Sequence, residues 1–369
     1  MGDLGVESKQ IQKAGDGSQQ LQMVNPTFNV GITEKRAREI FSEMNEIARR
    51  DYTSDAYELA LKRVTMFETL LMDKVQKVDG LLEAFGDPSF QYLLVEAQRR
   101  AAASERASDY AILSELLGCR ATQGTDRKIR AGISQAVKIV DEVDDDALCG
   151  LTVSYAVWRM YPLSVECSNG LDVIDSEYAT LMYQPLPNES DWIAHLEILN
   201  AVRATPIVSV RKFEEIFGSQ LAGYVCVGIK QDSDSYGKAL DILQSATVPR
   251  SILVNHEWNE GYVRLAIPHI QYIHHLEMCS PSGDMVRELN IREKSALREV
   301  WNLYAKDGAV LAGVKKRFID EINSRPHIAA IRDWWNALPY AFNLTHVGIV
   351  LAHANAQKHN AKIPDLSNL

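Results

Sequence analysis

The sequence predicts a mainly α protein: a multi-helix bundle or array with a short N-terminal β arm and one small hairpin-like β patch. Three observations carry this. From Thr33 onward, apolar residues recur at three- and four-residue spacing through most of the 369 residues. Two-residue alternation is confined to short stretches around Pro26 and at 250–267. Capping residues, Gly and Pro cut the helical part into pieces of ordinary helix length.

The arm, residues 1–32, is polar and contains the turn-prone Gly15–Ser18. Leu21 and Met23, then Phe28 and Val30, alternate around Pro26 and predict one or two short strands. Such a strand is not stable alone in water and must pair with the body or with another copy. Thr33 caps the first helix, where Ala37, Ile40, Phe41, Met44, Ile47 and Ala48 form one face. The second opens near Thr53-Ser54-Asp55. Tyr57, Leu61, Val64, Leu71, Val75 and Val78 fit a heptad template, which suits either intramolecular packing or a contact with another subunit. Gly86-Asp87-Pro88 starts the next helix. Others are expected at 107–122, 126–142, 146–160, 171–184, 189–203, 209–222 and 234–246. Ser251–Val254 and Tyr262–Ile267, around Asn259-Glu260-Gly261, predict the β patch. Helices then resume at 283–306, 309–323, 327–337 and 344–360. The expected organisation is an arm at 1–32, a helical domain at 33–168 and a second at 169–369, with the Ser168-Asn169-Gly170 loop as the boundary.

Apolar residues at 46% and charged residues at 24% describe a globular chain. The net charge of −10 argues against non-specific nucleic-acid or anionic-membrane binding. Residues 141–200 alone carry 12 acids against Arg159, net −11. Asp144, Asp145 and Asp146 make this stretch a candidate surface for a basic protein partner or a cation; the plain alternative is a solvated face whose acids cap helices. No apolar run is long enough to span a bilayer. The start, Met1-Gly2-Asp3-Leu4, has no secretion signal, and the five unpaired-looking cysteines suit a cytoplasmic protein.

No phosphate loop, nucleophile elbow, H-E-x-x-H or C-x-x-C is present. His256-Glu257 opens like a zinc-protease motif but lacks the second histidine. All nine histidines follow residue 194. His274 and His275 are adjacent and do not share a helix face, so no metal set and no cofactor are expected. His346 and His353 lie seven residues apart on one helix, and His353 with Asn355 is the candidate catalytic pair, in reach of general acid–base chemistry. Core or interface histidines are the alternative, as core is for Trp334-Trp335.

Three blocks carry a resemblance. They are Gly15–Gln22 with Asn29–Ile32; Asp87-Pro88-Ser89-Phe90-Gln91-Tyr92 with Glu96-Ala97-Gln98; and Phe342–Ile349 with His353-Ala354-Asn355 and Asp365-Leu366-Ser367. In order and spacing they resemble an uncharacterised bacterial family known under locus-tag names. The resemblance implies soluble, mainly helical proteins without an assigned catalytic activity. Gly348, His353 and Asn355 match that family's closing block; His346 departs from it, where a small hydroxyl residue is usual. Similar Gly-Asp-x-Ser openings precede bacterial sensor and anti-phage effector modules.

Two functions are therefore expected as alternatives. One is a cytoplasmic self-associating sensor or scaffold in anti-phage defence, forming a homo-oligomer through Leu21, Met23, Phe28 and Val30. The other is a hydrolase with its site near His353 and Asn355.

Overall fold

Short polar side chains set most of the helix starts. In the computed structural model, which describes residues 32–48, 54–123, 126–162, 164–274, 276–279, 286–364 and 366, Asp87, Asp126, Asp144 and Asp307 each accept a hydrogen bond from backbone N–H groups of the turn that follows. Asn290 and Glu293 form a reciprocal capping box. The arm, with Leu21, Met23, Phe28 and Val30, lies outside the described residues.

The first eight helices follow in order: α1 (Glu34–Ala48), α2 (Ser54–Val75), α3 (Leu81–Ala84), α4 (Pro88–Ala103), α5 (Ala107–Thr122), α6 (Arg127–Ile139), α7 (Asp145–Arg159) and α8 (Cys167–Leu181). Next come α9 (Asp191–Ile198), β1 (Val202–Thr205), α10 (Phe213–Gln220), β2 (Ile229–Lys230) and α11 (Asp234–Ser245). Four strands, β3 (Leu253–Asn255), β4 (Tyr262–Leu265), β5 (Glu277–Cys279) and β6 (Val286–Glu288), precede α12 (Ile291–Asn302), α13 (Gly308–Asn323) and α14 (Pro326–Ala337). The chain closes with β7 (Ala341–Leu344) and α15 (His346–His359). The protein is mainly α, as the periodicity predicts.

The expected β patch is present: β3 and β4 pair antiparallel, Leu253 opposite Leu265, and Gly261 takes the left-handed conformation that closes their connection. Four expected boundaries need correction. Ser168-Asn169-Gly170, expected as a loop before a helix at 171, lies inside α8, which begins at Cys167 where Glu257 accepts from its first N–H groups. The helix expected at 189–203 ends at Ile198, and Val202–Thr205 instead pairs antiparallel with Ala341–Leu344. That pairing also shortens the helix expected from 344. The helix expected from 283 begins at Ile291, because the Asn290 cap starts it there and Val286–Glu288 pairs with Glu277–Cys279. These strands are short and their partners mostly distant, so local spacing does not reveal them.

Burial divides the described residues into two cores. The larger runs from Ala37 to Tyr224 and resumes from Val314 to Leu366, with Trp258 joining it from between, and passes position 168 without a break. At its centre is α15, whose residues 348–356 are all buried and which packs on α5, α6, α7 and α8. A helix apolar on every side belongs in such a place. The smaller core, built from Ile229, Leu243, Val263, Leu265, Ile273 and Leu297 among others, belongs to an insert between α10 and α13. Its two ends meet where the Ala305 N–H donates to the Gly228 carbonyl at 2.8 Å.

Candidate functional site

Two polar side chains interrupt the apolar surface of α15, and burying them requires partners. His353 Nδ1 shares a 3.1 Å hydrogen bond with the Tyr155 hydroxyl, and the two rings meet edge-on at 5.8 Å. Asn355 Nδ2 donates to Thr152 Oγ1 at 2.9 Å and to the Tyr183 hydroxyl at 3.2 Å. Thr152 and Tyr155 are one turn apart on α7, so both candidate residues face the same neighbouring helix. They do not converge on one reacting point: each has its own partner. Burial pushes Tyr155 up to about 12 and Tyr183 higher still, so both phenols remain protonated. The Tyr183 ring stacks on His359 at 3.9 Å, and burial draws His359 down to about 4. His346 sits exposed at the start of α15, two turns from buried His353, so the two imidazoles do not meet.

Sequence reasoning missed Tyr155, Thr152 and Tyr183, which lie between 172 and 203 residues from their partners in the chain. One turn further along both helices, Arg159 and Ile349 line a cleft of about 360 Å³ that Trp158, Tyr161, Asn343 and Leu344 complete.

A second buried polar cluster joins the insert to the body. Arg264, fully buried in β4, donates to the carbonyls of Leu265 (3.1 Å) and Val165 (2.5 Å) and approaches Glu257 Oε1 at 3.4 Å. Its guanidinium lies 5.2 Å from the centre of the Tyr224 ring. Glu257 in turn accepts from the N–H groups of Cys167 and Ser168, capping α8 from across the chain. The sequence signal was there: an arginine inside the apolar run Tyr262-Val263-Arg264-Leu265. Cys226 Sγ lies 3.7 Å from His256 Nε2, a thiol–imidazole contact without nucleophilic character. Burial pushes the thiol up to about 12 and draws the imidazole down to about 4.

The hydrogen bonds fix the state of His256. Nδ1 accepts from the Trp258 N–H at 3.1 Å, which requires it to be unprotonated, and Nε2 donates to the Cys226 carbonyl at 2.8 Å. An unfolded histidine titrates near 6.5. Below that pH the unfolded chain takes up a proton the folded site refuses, so stability is complete above about 6.5 and falls as the pH drops toward about 4. His256 is expected to account for about 2 kcal/mol of loss by about pH 5. Urea unfolding near pH 7.5 and near pH 5 checks this: His256→Asn should show a smaller acid-induced drop than the parent protein, and equal drops would refute the assignment.

The acidic stretch meets cations from elsewhere in the chain. Arg100 bridges Asp141 and Glu142, Arg106 pairs with Asp145 at 3.0 Å, and Arg325 pairs with Asp172 at 2.9 Å. Asp144 caps α7, and Asp146 accepts from Gln184. Asp175 accepts from the first N–H groups of α14 and from His327. Trp334 and Trp335 are core, their indole N–H groups donating to the Pro187 and Arg211 carbonyls. Among the described residues no group of three or more His, Cys, Asp or Glu is placed to hold a metal, and no helix is long and apolar enough to cross a membrane.

Helices α1 and α2 carry the opposite anomaly. Val64, Leu71 and Val75 of the heptad pattern are buried, whereas Ile47, Tyr57, Leu59, Leu61, Met66 and Leu70 each leave between 37% and 50% of their surface uncovered. Leu59, Met66 and Leu70 fall within about 40° of one another around α2 and form an apolar stripe of the kind that marks an interaction surface, whereas Tyr57 and Leu61 lie on its other flank.

No curated protein and no solved structure matches the chain. The family model that does match, described as ":-like", covers residues 31–369. It takes in the Asp87 and Phe342 blocks, Gly348, His353 and Asn355, and the chain belongs to this family, an uncharacterised one known under locus-tag names.

Proposed function

We propose that this is a self-associating interaction protein whose contact surface is the exposed apolar stripe of α2. The observation that carries the reading is that stripe: Leu59, Met66 and Leu70, on one side of α2, are uncovered. A second copy of the chain is the occupant that suits it, because a two-fold contact sets an apolar patch against itself. The arm at 1–32 precedes α1 in the sequence, and its Leu21, Met23, Phe28 and Val30 would add strand pairing between copies. A cytoplasmic setting belongs to the proposal and agrees with the buried, high-pKa thiols of Cys149, Cys167 and Cys226. The anti-phage role rests on the resemblance of the opening segment alone. A basic partner at Asp144–Asp146 is a weaker element, since those three acids already have partners within the chain.

Light scattering on the full chain tests the reading. The parent protein is expected to have at least twice the monomer mass, and the double variant Leu59→Glu/Met66→Glu to be a monomer with unchanged helical circular dichroism. Phe28→Asp/Val30→Asp, made separately, distinguishes the arm from the α2 face. A monomeric parent protein across the accessible concentration range overturns the proposal.

A further inference from the structure

We propose that the cleft between the end of α7 and β7 binds a small planar aromatic ligand bearing an anionic group, with the size and chemistry of a nucleoside monophosphate. The inference concerns a different surface from the α2 stripe and does not depend on self-association.

The charge argument comes first. Arg159 is the only base in the stretch 141–200, among 12 acids. Those acids recruit Arg100, Arg106 and Arg325 from outside the stretch, yet Arg159 makes no hydrogen bond or ion pair among the described residues. It lines the cleft instead. A guanidinium kept beside a cleft and away from neighbouring carboxylates can take an external anion through paired N–H groups. Arg203 extends the same field. It stands opposite Asn343 in the β1–β7 register, so the two side chains share one face of the ribbon, and Asn343 lines the cleft.

Shape and lining select the rest of the ligand. About 360 Å³ lies within the range of small-molecule sites and excludes a folded partner. Trp158 and Tyr161 offer ring faces, Leu344 and Ile349 an apolar wall, and Asn343 an amide that can both donate to and accept from a ring edge. Trp158 packs against Trp335, edge-on at 5.9 Å, and Tyr161 against Tyr272 of the insert, edge-on at 6.2 Å. Stacking faces held in place beside a cation and an amide form a site for a base with an attached phosphate.

Isothermal titration of the full chain with AMP, GMP, CMP and UMP, with adenosine and inorganic phosphate as separate arms, tests the proposal. Saturable binding of at least one nucleotide is expected, tighter than either adenosine or phosphate alone. Arg159→Gln should weaken it about tenfold or more, the loss of one charge-assisted contact. Arg250→Gln, an exposed change in the insert, should leave it unaltered. Arg159 is exposed, so its variant should fold, and circular dichroism verifies that it does. The proposal is overturned if no nucleotide binds, if phosphate or adenosine alone binds as tightly as the nucleotide, or if Arg159→Gln binds like the parent protein.

Discussion

Replacing Arg264 by leucine is expected to destabilise the protein by about 4 kcal/mol, the usual cost of breaking a buried charge pair from one side. The guanidinium is fully buried and serves two backbone carbonyls, one carboxylate and one aromatic face at once. Leucine fills part of the volume and supplies no donor, so the Val165 and Leu265 carbonyls lose theirs. Glu257 keeps its hold on the start of α8 but loses its cation. Arg264→Lys retains the charge without the planar fork and should fall between the two. Equilibrium unfolding in urea measures each, and Glu257→Gln combined with Arg264→Leu closes a double-mutant cycle. A cost below about 1 kcal/mol for Arg264→Leu would mean that the insert and body do not depend on this joint.

Gly348→Ala should cost about 3 kcal/mol or more, at the upper end of overpacking effects, because the added methyl meets main chain. A Cβ at Gly348 would overlap the Ala201 carbonyl oxygen. That oxygen already accepts from the Thr345 N–H and hydroxyl, both at 3.0 Å, and so fixes the start of α15 against β1. Neither side can yield without disturbing the other. Gly313 supplies the control: it lies within α13, nothing stands near its absent Cβ, and Gly313→Ala should stabilise by about 0.5–1 kcal/mol. Thermal melts of the two variants should move in opposite directions. A Gly348→Ala protein as stable as the parent would show that the start of α15 is not fixed by this contact.

The parts of the fold that were legible in the sequence are those with local causes. Asp87, Asp126, Asp144 and Asp307 start their helices by hydrogen bonds to residues two or three places on, which local sequence anticipates; Asn290 caps in the same way, but the spacing before it points to a start at 283. Val202–Thr205 is different: it is a strand because Ala341–Leu344 lies beside it, and nothing within four residues says so. The same holds for the candidate residues. His353 and Asn355 could be singled out as polar residues on an apolar helix, but their meaning depends on Tyr155, Thr152 and Tyr183, which sequence spacing does not connect to them. Arg159 was visible only as a lone base among acids; that it faces a cleft is a property of the assembled α7, β7 and α15.

The position of α15 also has a consequence for how the chain is made. The helix that fills the centre of the larger core is the last helix in chain order among the described residues, and α5, α6 and α7 all pack against it. A ribosome adding roughly 5–20 residues per second finishes α7 and then takes some ten to forty seconds to reach the end of α15. During that interval the apolar faces of the earlier helices have no permanent cover, while the insert, with its own core, can already close. The nascent chain therefore offers its stickiest surfaces early and hides them late, so its yield in a cell depends on what shields those helices during synthesis.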